Sequence, residues 1–142
     1  MPAVRPGYHV IDHPADLGIE AFGGNLIEAF EQAGLGLMSV ILDVDSVEPK
    51  ESRQLALQAS DLEHLLVKWL TEILYLYDGE RFAGGRFQIS ELSPQDLRAK
   101  VTGESFSEKK HETRLDVKAI TYHQLSVEQN EEGGRVRVFL DI

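Results

Sequence analysis

The sequence predicts an α+β domain, a mostly antiparallel β-sheet with two main helices, about residues 25–41 and 61–77, packed on it. Three observations point there. Both stretches of helical periodicity lie before Gly79, while most of the chain beyond that glycine alternates apolar and polar residues with period two. Helices early and strands late favour antiparallel pairing over repeated βαβ units. The 142 residues hold no low-complexity segment and no internal repeat, so 1–142 reads as a single domain.

From the amino terminus, Tyr8–Ile11 reads as a short strand, and Leu17–Phe22 as a second, stopped by Gly23-Gly24. Asn25 then offers an N-cap, with Glu28 three residues on completing a capping box. Ile27, Phe30, Leu37, Met38 and Ile41 fall near helical spacing and define a first helix, Leu26–Ile41. Gly34 and Gly36 weaken it by about 1 kcal/mol each relative to Ala, and suit close packing. Asp43–Ser52, polar and holding Pro49, reads as a loop, and Arg53–Ala59 as a strand.

The second helix carries the strongest pattern. Ser60 or Asp61 caps it, a broad apolar stripe runs from Leu62 through Trp69 to Tyr77, and Asp78-Gly79 ends it. So apolar a stripe reads as core rather than as a partner groove. Arg86–Leu92, Asp96–Glu104, Val117–Val127 and Arg135–Leu140 read as strands. Ser93-Pro94, Ser107–Lys110 and a generous hairpin loop, Asn130–Gly134, separate them.

Composition narrows the function classes. Hydrophobic residues make up 42% of the chain, enough for a core, and cysteine is absent. Disulfides, thiolate metal sites and cysteine nucleophiles are therefore excluded, which suits a reducing compartment. Fourteen basic against 24 acidic residues give a net charge of -10, so no strong direct nucleic-acid binding is expected. A basic protein partner or a divalent cation fits that charge, and so does solubility alone. Met1–Gly7 has no apolar segment of signal length, and Glu63, His64, Lys68 and Glu72 interrupt the apolar run Leu62–Tyr77. No membrane association and a cytoplasmic location are the expectation.

Chemistry concentrates at the two ends of the chain. Ile11-Asp12-His13-Pro14-Ala15-Asp16 places two carboxylates and an imidazole in a loop that Pro14 stiffens, although Asp and Pro also make ordinary turns. The chain closes on a strand whose last residues offer the Asp141 side chain and the α-carboxylate of Ile142. If those strands are neighbours, several anionic oxygens converge. Such oxygens suit Ca²⁺, Mg²⁺ or Mn²⁺, and His13 would tilt the choice towards Mn²⁺ or Zn²⁺ unless it serves as a hydrogen-bond partner. A cation or a lysine would relieve the repulsion, and Lys118 is the candidate lysine. Glu104, His111, Lys118 and His123 each read alone as ordinary surface. Phosphate loops, G-x-S-x-G, H-E-x-x-H and EF-hand spacings are all absent, which leaves the case for an enzyme thin.

Taken together, several segments resemble archease, the small acidic cofactor protein of the GTP-dependent tRNA-splicing RNA ligase. They are Asp12-His13-Pro14-Ala15-Asp16 with Gly18-Ile19-Glu20-Ala21, Leu66–Leu74 on the second helix, Gly103-Glu104, His111, Lys118–His123 and the terminal Asp141-Ile142. Many members of that family carry Thr where this chain has Pro14, a mild departure. The resemblance implies an α+β fold and an accessory protein rather than an enzyme. It implies a partner, the RNA ligase, helped to become guanylylated by GTP, to turn over repeatedly and to accept more nucleotides. It also implies a bound divalent cation, Ca²⁺ first with Mg²⁺ or Mn²⁺ as alternatives, held by Asp12, Asp141 and Ile142. Asp16, Glu104, His111, Lys118 and His123 fall on family motifs as candidate contacts, Lys118 foremost, and His13 joins them. Two other readings stand beside this one: a small metal-dependent hydrolase or isomerase using Asp12, Glu104 and His123, and a chaperone-like adaptor.

Overall fold

A computed structural model of the chain describes residues 4–12 and 16–142. The order is β1 (Gly7–Asp12), β2 (Leu17–Gly23), α1 (Leu26–Ile41), a 3-10 turn (Val44–Ser46), β3 (Glu51–Gln58), α2 (Leu62–Asp78), β4 (Phe82–Leu92), β5 (Asp96–Ser105), β6 (Ala119–Asn130) and β7 (Gly133–Asp141). Every strand pairing within the sheets is antiparallel. The strands do not form one sheet, as the alternation alone suggests, but two: β1-β2-β7-β6 and β3-β5-β4. Among the described residues no helix is long and apolar enough to cross a membrane.

The division arises from the helices. Residues buried on α1 include Phe30, Ala33, Gly34, Gly36, Leu37 and Met38, an arc too wide for one sheet to cover. Two glycines show how it is covered. A Cβ at Gly36 would lie 3.1 Å from both Ile19 of β2 and Tyr8 of β1. A Cβ at Gly34, two residues and about 200° away around the helix, would lie 3.0 Å from Ile73 of α2 and 3.2 Å from Phe87 of β4. The helix is thus pressed by the four-stranded sheet on one side, and by α2 and the three-stranded sheet on the other. Trp69 of α2, fully buried, donates its indole N–H to the Phe30 carbonyl at 2.9 Å and meets Phe87 edge-on.

The caps obey local chemistry. Asn25 Oδ1 accepts from the Glu28 N–H at 2.9 Å, and Glu28 Oε1 accepts from the Gly24 N–H at 2.7 Å. Asp61, not Ser60, caps α2, accepting from the His64 N–H at 2.8 Å and lying 2.7 Å from its ring Nδ1.

Three local expectations are corrected. First, β4 starts at Phe82 rather than at Arg86, because Gly84 and Gly85 sit inside the strand at a break in register. Second, the last hairpin is tight: Asn130 pairs with Gly133 across Glu131 and Glu132 alone. Gly133 adopts φ 143° against the Gly23 carbonyl, so the glycine pair serves close packing on the end of β2, not a long loop. Third, β6 starts at Ala119 and is interrupted. Its register jumps from Thr121↔Phe139 to Ser126↔Arg137, so Tyr122–Leu125 bulge out opposite Val138, with Gln124 at φ 49°.

The two-sided packing of α1 is testable. Gly34→Val and Gly36→Val should each destabilise the protein, by about 1–3 kcal/mol of overpacking in urea denaturation. If α1 packed on one side only, one of the two would be tolerated, helped by the better helix propensity of Val over Gly.

Candidate functional site

The β2–β7 pairing sets the geometry of the candidate site. Leu17 of β2 stands opposite Asp12 of β1 on one side and opposite Leu140 of β7 on the other. Asp141 comes directly after Leu140, so the first and last strands deliver Asp12, Asp141 and Ile142 to the same end of one sheet. All three are exposed. By the pleat, Asp12 shares the helix-facing side with Leu17 and Leu140, and Asp141 the opposite side with Phe139. Anything touching both carboxylates therefore lies off the end of the sheet rather than on either face.

Asp16 is half-buried immediately before β2. Lys118, just ahead of β6, donates its backbone N–H to the Asp141 carbonyl at 2.7 Å while its side chain stays exposed. The expected lysine therefore acts on Asp141 through its backbone. His123 stands in the β6 bulge and meets Phe139 edge-on, ring centroids 5.6 Å apart; the Phe139 ring itself lies across Gly18. His13 lies outside the described residues. Among the described residues no three His, Asp or Glu side chains gather closely enough to hold a metal unaided.

More acid collects here than the two motifs supply. The segment from Glu112 to Lys118 runs along the C-terminus of α1: Asp43 N–H donates to the Glu112 carbonyl, Arg114 N–H to Ile41 and Leu115 N–H to Val40, before Lys118 reaches Asp141. Both helices end at this pole, and neither has a basic residue in its last turn to offset the partial negative charge there. Arg114 alone reaches back, donating to the Ser39 carbonyl at 3.0 Å and lying 3.9 Å from Asp43. Asp78 closes α2. Burial pushes its carboxyl up, and the nearby Asp116 pushes the same way against Arg81. Asp43, Asp78 and Asp116 carry no local signature in the sequence; only the lacing of 112–118 past two helix ends brings them in.

Glu104 and His111 prove to be a different kind of group. Both are buried, at 5% and 1% exposure, which overturns the reading of each as surface. The Ser107 N–H donates to His111 Nδ1 at 2.9 Å, so the ring proton sits on Nε2 and is donated to Glu104 Oε2, also 2.9 Å away. Glu104 also accepts from the Glu48 N–H at 2.9 Å, and its oxygens lie 3.0 Å from the Lys110 ammonium. Burial alone would raise the Glu104 carboxyl; the Glu48 N–H, His111 and Lys110 together reverse that and hold it down at about 2. Phe106 stacks on His111, Tyr77 meets Phe106 edge-on, and the Arg81 guanidinium lies 4.6 Å over the Phe106 ring. The cluster fastens the turn after β5 to the end of α2. With its oxygens so engaged, Glu104 does not face a substrate alongside Asp12 and His123.

This cluster makes stability depend on pH. Glu104 has a folded value near 2, below the roughly 4.3 of an unfolded glutamate, so its stabilisation is complete above about pH 4.3 and is lost as pH falls towards 2. Urea midpoints should drop across that window. Glu104→Gln should lower stability at pH 7 and flatten the acid limb; an unchanged acid limb would remove Glu104 from its cause.

The comparisons with known proteins agree with this architecture. The family model described as Archease protein family (MTH1598/TM1083) matches residues 8–142. The chain is 34% identical to Protein archease of Methanosarcina acetivorans over 146 aligned positions, covering 100% of both chains. It is 44% identical to Protein archease of Saccharolobus solfataricus over 138, covering 95% of this chain and 98% of the relative. Among solved structures, the solution structure of Methanobacterium thermoautotrophicum protein 1598 superposes with a TM-score of 0.81 at 31% identity, over 96% of this chain and 99% of that one. With a family model spanning all but the first residue of β1 and relatives matched end to end, this chain belongs to the archease family.

Proposed function

We propose that this chain is a non-enzymatic activator of a GTP-dependent tRNA-splicing RNA ligase, promoting guanylylation of the ligase by GTP and its repeated turnover, and that the acidic end is the acting part. One observation carries the reading: the Asp12–Leu17–Leu140 register, which delivers carboxylates from both ends of the chain to one exposed pole. Asp12, Asp141 and the Ile142 carboxylate would hold a divalent cation there. The donors are all oxygen, which suits Ca²⁺ first and Mg²⁺ or Mn²⁺ as alternatives. The residues fit such an ion. Neither aspartate is ion-paired to a lysine or arginine among the described residues, and two helices without a basic residue in their last turn end nearby. A bound cation would supply positive charge towards phosphate oxygens.

The chain's own residues do the rest of the work in this proposal. The pole with its aspartates and helix ends steers the protein, net charge -10, towards a basic ligase surface. The Lys118 ammonium, exposed beside Asp141, is the contact candidate at the rim. Since phosphoryl transfer depends mainly on positioning and charge neutralisation, an accessory pole can speed it without supplying a nucleophile. The absence of cysteine agrees with a cytoplasmic setting.

The test is a multiple-turnover ligation assay with GTP and a sluggish RNA ligase. Wild type should stimulate it. Asp12→Asn and Asp141→Asn, with unchanged circular dichroism, should lose about tenfold or more of the stimulation, equivalent to roughly 1.4 kcal/mol or more. Full stimulation by both variants would leave only a passive adaptor, and turnover of a small substrate by the isolated protein with metal would make it an enzyme.

A further inference from the structure

Four strands end the two sheets: β1 and β6 in one, β3 and β4 in the other. Open edges are templates for further pairing, and most proteins blunt them. Here β6 is interrupted by its bulge, β4 breaks register twice, and β1 is six residues long. The edge at β3 is different. It runs straight against β5 from Glu51↔Gly103 to Gln58↔Asp96 with no break, and contains neither Pro, Gly nor Lys.

The phase of the ladder says which groups face outwards. Ala59 N–H donates to the Gln95 carbonyl, so Glu51, Arg53, Leu55 and Leu57 bond inwards to β5. The N–H and C=O groups of Ser52, Gln54, Ala56 and Gln58 point away from it. Lys68 takes the Gln58 carbonyl at 2.7 Å, and Arg53 leans on the Ser52 carbonyl at 3.3 Å. That leaves the N–H and C=O of Gln54 and Ala56, four adjacent groups centred on Leu55, without a protein partner among the described residues. Both residues are exposed.

We propose that this edge is a strand-addition site occupied by a second copy of the chain, β3 pairing antiparallel with β3 about a two-fold axis through Leu55. In that register Gln54 of each copy faces Ala56 of the other, and all four free backbone groups on each side are satisfied. Leu55, half-buried on the helix-facing side, meets Leu55 of the second copy, so the two cores join across the axis. Arg53 comes opposite Leu57, and no like charges oppose one another. The wider charge distribution favours the same occupant. Chains of net charge -10 repel, but β3 starts at the acidic pole, beside Gly103 and Glu104, so antiparallel pairing sends the two poles to opposite ends. Around the edge itself charges balance: Arg53 lies 3.6 Å from Glu51 and Arg98 3.3 Å from Glu91. The product is a continuous six-stranded sheet with an acidic pole at each end, able to engage two partners.

Sedimentation velocity of the full chain between about 10 µM and about 1 mM tests this, together with amide hydrogen exchange. A dimer should form, with protection of the Gln54 and Ala56 amides rising with concentration. Ala56→Pro removes only an outward N–H, which an edge strand tolerates, and should weaken the dimer at least about tenfold while leaving the thermal transition of the monomer in place. Leu55→Lys and Leu55→Glu should each be monomeric and should associate when mixed. A chain that stays monomeric with both amides exchanging freely at every concentration overturns the proposal, and so does a dimer that survives Ala56→Pro.

Discussion

The pairing of β2 with β7 is the constraint on which the molecule depends. It runs unbroken from Leu17↔Leu140 to Gly23↔Gly134 and places the last strand of the chain in the middle of the four-stranded sheet. Ile19, Ala21, Val136, Val138 and Leu140 are buried along it, and they form the floor on which α1 lies. Because β7 sits between β2 and β6, everything at the acidic pole is assembled across it: Asp12 through Leu17, and Lys118 through Asp141. These contacts close nearly the full length of the chain, so the pole acquires its shape only when the carboxyl-terminal strand is in place.

Two contrasting carboxylate environments then sit within one protein. Glu104 is buried and surrounded by donors: a backbone N–H, an imidazole N–H and an ammonium. Its low pKa describes a satisfied group, and its work is to hold a turn. Asp12 and Asp141 are exposed at strand ends, at the pole where both helices end without a basic residue in their last turn. Carboxylates in that setting gain from a cation brought in from outside.

Much of this was legible in the residues. Helix limits could be read from the Asn25 and Asp61 caps and from apolar spacing, since those signals act within a few residues. The Asp12 and Asp141 motifs pointed to one place because both end apolar strands. What escaped was non-local. Period-two alternation names a strand but not its neighbour, so two sheets looked like one. The Gly133-Gly134 pair advertised a loop, whereas its smallness serves contact with Gly23 and Asn25. Glu104 and His111 lie seven residues apart with no motif between them, and only the folding back of the turn shows that each satisfies the other. Asp78 and Asp116 reach the pole by routes that no pattern encodes.

In the proposed function Asp12 and Asp141, from the first and last strands, share one ion. Titrating the ¹⁵N-labelled protein with Mn²⁺ and tracking paramagnetic broadening tests it most directly. Broadening should centre on the amides of Leu17, Leu140 and Ala119, leave those of Gln54 and Ala56 sharp, and be reversed by Ca²⁺. Broadening centred instead on Asp78 and Asp116, or spread evenly over the acidic surface, would contradict the account.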